Sequence, residues 1–266
     1  MLNLDRIILS SNLDPMYFEF IPFITRTWKK LCNVKVSMAI LNNDDINLPT
    51  IREQCKECDE IIFYKSIQGI PDANLSKVLR LFTAMKYENE ICMINDVDLF
   101  PLHTKYVRYL IEQRKPDQLL CVGANVYVGT KDEGKFPMGY LTSEGRNFKS
   151  LVNPNNLSYE EIVKSWIGTK VFDSQEDISS NINHEVSNCF SDESLMRVLI
   201  SKWEHKNKIK HTPRTFTAGI GSIDRGRWKI IPEMLERNRY VEVHALRPYS
   251  RYKEQMDIIF KYLGVL

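Results

Sequence analysis

The tightest constraint on this chain is an alternation. Through residues 1–129, short apolar runs take turns with stretches of helical spacing. Strands are expected at Arg6 to Ser10, Val34 to Leu41, Glu60 to Tyr64, Glu90 to Asn95 and Leu119 to Val128. Helices are expected at Pro22 to Leu31, Ile51 to Cys58, Asn74 to Tyr87 and Tyr106 to Gln113; the third carries Leu75, Val78, Leu79, Phe82 and Met85 on one face. Such a series implies βαβ units and an α/β fold with a mostly parallel, covered sheet. In open sheets of this kind, ligands sit outside the carboxyl ends of the strands. That rule nominates Ser10, Ser11, Asn12, Asp44, Asp45, Asn95, Asp96 and Asp98.

After Gly129 the pattern changes. Residues 130–158 and 168–190 are polar and lack a clean period. Helices are expected at Tyr159 to Trp166, Ser191 to Trp203 and Tyr252 to Leu263, and strands at Arg214 to Ile223 and Tyr240 to Val243. No repeat or low-complexity tract interrupts the 266 residues. With 43% hydrophobic and 26% charged residues the chain can bury a full core, which excludes wholesale disorder. A net charge of +2 gives no basic field that would make nucleic acid a default partner. No apolar run reaches the ~18–20 residues of a membrane span, and no leader is visible, so the expected location is cytoplasmic. The six cysteines are then expected as free thiols. Cys55-Lys56-Glu57-Cys58 has no second pair to complete a zinc site and precedes its strand, unlike a redox motif. The sequons at Asn74 and Asn156 read as chance.

The most informative segment is Ile91-Cys92-Met93-Ile94-Asn95-Asp96-Val97-Asp98-Leu99-Phe100-Pro101-Leu102. In an extended chain, residues two apart share a face, so Asp96 and Asp98 converge while Val97 turns to the core. Two close carboxylates repel unless a cation joins them. Hard oxygens at this spacing suit Mg2+ or Mn2+, and such an ion can neutralise a diphosphate. The plainer alternative is a pair of acids ending a strand before Pro101.

Asp96-Val97-Asp98, with its flanking apolar runs, resembles the DxD motif of GT-A glycosyltransferases. Asn74 to Phe82 resembles the basic helix that leads into that strand, with Lys77 and Arg80 on one face, open either to phosphate or donor sugar or to solvent. The resemblance implies a GT-A-like (Rossmann-type) fold over 1–266, a single domain with a nucleotide-sugar-binding half (1–129) and an acceptor-side half (130–266). It implies base and ribose contacts at Ser10, Ser11 and Asn12, an acid for uracil at Asp44 or Asp45, and a diphosphate environment that includes Asn95, Asp96, Arg247 and Tyr249. It also implies Mn2+ (or Mg2+) held by Asp96, Asp98 and His244, the last in Val241-Glu242-Val243-His244-Ala245-Leu246-Arg247. Asp192 and Glu193, at the start of a helix, fit N-terminal capping and equally a role at the donor sugar or as general base toward the acceptor. The implied partners are a nucleotide-sugar donor, a UDP-sugar, and a glycan hydroxyl acceptor. Oligomeric state is left open.

Other features are open to plainer readings. Thr215 to Gly221 could bring backbone close to a ligand, and Arg225, Arg227 and Lys229 could meet phosphate, or all could form a plain strand and turn. Tyr140, Tyr159, Trp166 and Trp203 suit core packing better than a sugar platform. Two other functions fit an Asp-x-Asp. A haloacid-dehalogenase-type phosphohydrolase would use Asp96 as nucleophile and Asp98 as acid/base, but its motif usually lies in the first strand. A binding module would keep the fold without turnover.

Overall fold

The apolar runs become strands and the periodic stretches become helices. The computed structural model describes residues 4–123, 125–130, 133, 135–166, 191–213 and 221–266. In chain order these form β1 (Arg6–Ser11), α1 (Pro15–Phe18), α2 (Ile21–Cys32), β2 (Lys35–Leu41), α3 (Leu48–Gln54), β3 (Glu60–Tyr64) and α4 (Asp72–Ala84). There follow β4 (Ile91–Ile94), β5 (Leu99–Pro101), α5 (Thr104–Glu112), β6 (Leu119–Val122), β7 (Leu141–Glu144), α6 (Gly145–Val152) and α7 (Tyr159–Trp166). The remainder is α8 (Ser191–Lys202), β8 (Ile209–Thr212), β9 (Gly221–Ile223), α9 (Pro232–Glu236), β10 (Tyr240–His244) and α10 (Lys253–Leu263).

Seven strands make the central sheet in the order β3-β2-β1-β4-β7-β6-β8. All its pairings are parallel except those that β7 makes with β4 and β6. Its strands β1, β2, β4 and β6 carry apolar residues at consecutive positions because both faces are covered. Ile7 and Leu9 of β1 enter one core and Ile8 the other; Met93 of β4 enters the first, Cys92 and Ile94 the second. The first core also takes Ile24 and Trp28 of α2 and Ile259, Phe260 and Leu263 of α10. The second takes Leu75, Val78, Leu79 and Phe82 of α4 and Phe148, Trp166 and Leu195. A small sheet, β5-β10-β9, pairs His244 with Leu99 and so sets the end of β10 beside the turn that follows β4.

The expected strand over 119–128 ends at Val122. Gly123 has φ +86°, a conformation that turns the chain out of the ladder. The strands β5, β7 and β8 are three or four residues long and carry no readable period. β7 completes the middle of the sheet, and its exit demands a glycine. A Cβ on Gly145 would overlap the carbonyl of Tyr87. Residues 167–190 and 214–220, which include most of the Thr215 to Gly221 stretch, lie outside the described residues. Tyr140, Trp166 and Trp203 are buried, and Tyr159 packs against the second core. Asn74, of the first sequon, is buried in α4. Cys55 and Cys58 are free thiols in a turn closed by the Cys58 N–H to Cys55 carbonyl bond (2.9 Å). No helix among the described residues is long and apolar enough to cross a membrane.

Candidate active site

A cleft of about 630 Å3 opens at the carboxyl ends of β1 and β4. One wall is the Ser10-Ser11-Asn12 end of β1, Tyr17 of α1, and Ser76, Lys77 and Arg80 of α4. The floor is Asp96-Val97-Asp98. The lining is completed by Tyr127, Gly139, the Asp192-Glu193 start of α8, and Asp224, Arg225, His244 and Arg247. The fold thus gathers residues from positions 10 to 247 at the place the strand-end rule names.

Asp96 to Leu99 is a turn rather than extended chain, closed by the Leu99 N–H to Asp96 carbonyl bond (3.3 Å). Val97 is buried as expected, and both acids face the cleft, but the turn and not strand alternation directs them. Asn95 is fully buried; its Nδ2 donates to the carbonyls of Asp96 and Leu99 (3.0 and 2.8 Å), so it shapes the turn from within.

The two acids have different surroundings. Asp98 is only 4% exposed and offers Oδ2 to Arg225 Nη1 (2.7 Å), Arg247 Nη1 (3.3 Å) and His244 Nε2 (3.6 Å). Burial opposes its ionisation, but His244 and the two arginines outweigh burial and hold its carboxyl far below the usual range. The side chain of Asp96 is 38% exposed and accepts from Arg80 Nη1 at Oδ1. A Cβ on Gly139 would stand 3.7 Å from Asp96 Oδ2 and 2.8 Å from Leu99 Cδ2, so glycine keeps that wall open.

Arg80 is buried, contrary to the solvent-facing alternative. Its other nitrogen, Nη2, donates to Asp192 Oδ2 (2.7 Å), and one guanidinium links the β4 turn to the start of α8. Burial disfavours its charge, but Asp96 and Asp192 more than offset this and raise its pKa. Glu193 accepts from Tyr127 Oη at Oε1 (2.6 Å), while its Oε2 is buried with no partner among the described residues. Burial, then the Asp192 charge, pushes the Glu193 carboxyl up to about 8. His244 lies 3.6 Å through Nδ1 from Asp224 Oδ2 and 3.6 Å through Nε2 from Asp98 Oδ2. Burial disfavours imidazolium, yet the two carboxylates raise its pKa.

The Glu193 environment has a measurable consequence. The unfolded carboxyl ionises near ~4.3, while the folded one keeps its proton to about 8. Between those values the folded state binds more protons, so this group lowers stability as pH rises through the window. Glu193→Gln is expected to remove that loss. The variant's advantage over wild type should be larger by on the order of 3 kcal/mol at pH 9 than near pH 5. Urea unfolding at both values reads the difference; equal pH slopes would contradict the burial argument.

Ser10, Ser11, Asn12, Lys77, Arg80, Asp96, Asp98, Asp192, Glu193, His244 and Arg247 therefore share one cleft. Asp44 and Asp45 do not line it: Asp44 caps the short turn Asp45–Asn47 by accepting from Ile46 N (3.0 Å), and Asp45 is exposed. Tyr249 sits against Phe23 and Phe260 and bonds Asp257 (2.8 Å). Sequence reasoning missed Asp224, Tyr17, Tyr127 and Gly139. Tyr127 was hidden in an apolar run that reads as strand. Asp224, before Arg225-Gly226-Arg227, bears a turn signature but nothing that marks a partner for His244.

No family model matches the chain, and no curated protein matches it. Solved structures do. An active-site mutant of LgtC aligns at a TM-score of 0.51 and 9% identity, over 95% of this chain and 95% of that one. The galactosyltransferase LgtC with donor and acceptor sugar analogs aligns at 0.49 and 9%, over 98% and 96%. The glycosyltransferase GlyE of Streptococcus pneumoniae TIGR4 aligns at 0.49 and 11%, over 97% of this chain and 62% of that one. Identities this low speak to architecture alone. With its seven-stranded, mostly parallel sheet and helices on both faces, the chain has the GT-A fold.

Proposed function

We propose that the chain is a metal-dependent glycosyltransferase that moves a sugar from a nucleotide-sugar donor, a UDP-sugar, to a hydroxyl of a glycan acceptor. One observation carries the reading. Asp96 and Asp98 share a cleft with Lys77, Arg80, Arg225 and Arg247, at the strand ends where this fold class takes ligands. That is the charge pattern of a diphosphate site: acids for a cation, cations for phosphate oxygens.

As placed, no three carboxylate, imidazole or thiol groups among the described residues converge closely enough to chelate an ion. The donor set nevertheless fits Mn2+ or Mg2+, with hard oxygens from Asp96 and Asp98 and one imidazole from His244. His244 Nε2 faces Asp98 Oδ2 at 3.6 Å, too far for a hydrogen bond, and both residues line one cleft. Such an ion would neutralise the diphosphate and stabilise it as a leaving group.

The chain's own residues supply the rest. Ser10, Ser11 and Asn12 lie where β1 ends and would face base and ribose. Lys77 and Arg247 would hold phosphate oxygens; Arg247 is steadied over the Tyr17 ring at 4.6 Å. Arg80 fixes the Asp96 rotamer and the start of α8 together. Asp192 and Glu193 would meet the donor sugar or the acceptor hydroxyl. The phosphohydrolase alternative is disfavoured because Asp96 and Asp98 follow the fourth strand, β4, whereas that family's motif usually lies in the first.

Calorimetric titration of UDP, GDP and their sugar conjugates tests the proposal. One nucleotide should bind with Mn2+, weaken at least tenfold under chelator, and weaken likewise in Asp96→Asn, since each such loss removes a charge-assisted contact of ~1.5–3 kcal/mol. Absence of nucleotide binding with either metal would overturn it.

A further inference from the structure

Two guanidiniums and the His244 imidazole converge on one oxygen of Asp98, and they are not equivalent. Arg247 is 13% exposed and lies over Tyr17; His244 is tied at its far nitrogen to Asp224. Arg225 makes the shortest contact, 2.7 Å, yet its side chain is the most exposed of the three at 27%. It sits on the short turn Arg225–Arg227, anchored by Asp224 accepting from Gly226 N (2.7 Å). The turn under Arg225 is held by that bond, and its side chain is twice as exposed as that of Arg247.

A guanidinium 2.7 Å from Asp98 Oδ2 opposes a divalent ion on the same carboxylate, because the two cations repel at close range. Arg225 and an ion on Asp98 are therefore competitors. A guanidinium that leaves Asp98 stays in a cleft it shares with Lys77 and Arg247, and its forked donors match a phosphate.

We propose that Arg225 is a positioning residue with two stations, neutralising Asp98 before the divalent ion binds and turning to the donor diphosphate once the ion takes its place. This rests on the metal and nucleotide-sugar reading above. It goes further by making the two ligands cooperate through one side chain. The ion frees Arg225 for the diphosphate, and the diphosphate keeps Arg225 off the ion's ligand. By linkage each tightens the other by the same factor.

The test is equilibrium Mn2+ binding, followed by the spin-resonance signal of the free ion, with and without UDP or GDP. Wild type, Arg225→Gln and Arg225→Lys are compared. For Arg225→Gln without nucleotide, the Mn2+ dissociation constant should fall by about tenfold, the change expected when one competing charge-assisted hydrogen bond is removed. Nucleoside diphosphate affinity with saturating Mn2+ should weaken, and the factor by which nucleotide tightens Mn2+ should shrink toward one. Arg225→Lys should lie between. Asp98→Asn should bind no Mn2+ at this site, which ties the signal to Asp98.

A residue that only supports the fold would weaken both ligands and lower the melting temperature. Mn2+ affinity that is unchanged or weaker in Arg225→Gln overturns the inference, as does a wild type that binds no Mn2+. A wild type that binds Mn2+ but neither nucleotide removes the glycosyltransferase reading instead, and the metal-only comparison still decides whether Arg225 competes for Asp98.

Discussion

Asp98→Asn is expected to lower kcat/KM for sugar transfer by a factor on the order of 10^3, the scale seen when one preorganised charge is removed from a reacting centre. Asparagine keeps the size and one acceptor oxygen, so the loss reports the charge. Asp98→Ala is expected to add a second effect. The buried carboxylate is the common partner of Arg225, Arg247 and His244. Its removal would leave two guanidiniums and the His244 imidazole facing one another. Breaking a buried pair costs about 3–5 kcal/mol. Arg225 can reach water, which reduces the expected loss for Asp98→Ala to about 2–3 kcal/mol. Transfer assays and urea unfolding on both variants separate the two roles. Activity in Asp98→Asn within twofold of wild type would remove Asp98 from the chemistry, and an unchanged urea midpoint in Asp98→Ala would remove it from the charge cluster.

How much of this was legible follows from the range of the interactions. Local ones were readable. The apolar run over Ile91 to Ile94 announced β4, the Leu75, Val78, Leu79, Phe82 spacing announced α4, and two acids just past a strand announced the cleft. Features set by distant chain were not. Arg80 sits at a helical position that sequence leaves open to solvent, and only Asp192, 112 residues onward, explains why it is inside. β7 is four residues long and finds its place between β4 and β6 through pairing with Ile91 to Ile94, not through any period of its own. The Asp96-Val97-Asp98 geometry was anticipated for a reason that does not hold. Alternation along a strand and a tight turn both turn Val97 inward, so the outcome could not distinguish them. His244 was readable as a strand-end histidine, but its 3.6 Å approach to Asp224 depends on the β9–β10 pairing that brings residues twenty apart together.

Arg80→Met is expected to be the most destabilising single change at the site. The guanidinium is 5% exposed and divides its donors between Asp96 and Asp192; the latter is 4% exposed. Methionine fills much of the volume and returns neither pair. Asp96 can turn toward solvent, but Asp192 would stay buried beside Glu193 with its compensating charge gone. The expected cost is about 3–5 kcal/mol. For a chain of this size that lowers the melting temperature by about 10 °C. Arg80→Lys should recover only part, because an ammonium is a point charge and cannot span two carboxylates as a planar fork can. The decisive comparison is Arg80→Met with Asp192→Leu. If the penalty is the stranded carboxylate, removing that carboxylate should restore about 1–2 kcal/mol relative to Arg80→Met alone. If the penalty is lost packing around α4, the second change should make matters worse. Urea unfolding of the four members of that cycle assigns the cost, and an Arg80→Met within 1 kcal/mol of wild type would mean that the bridge between the β4 turn and α8 is not what holds the cleft's two acidic groups in place.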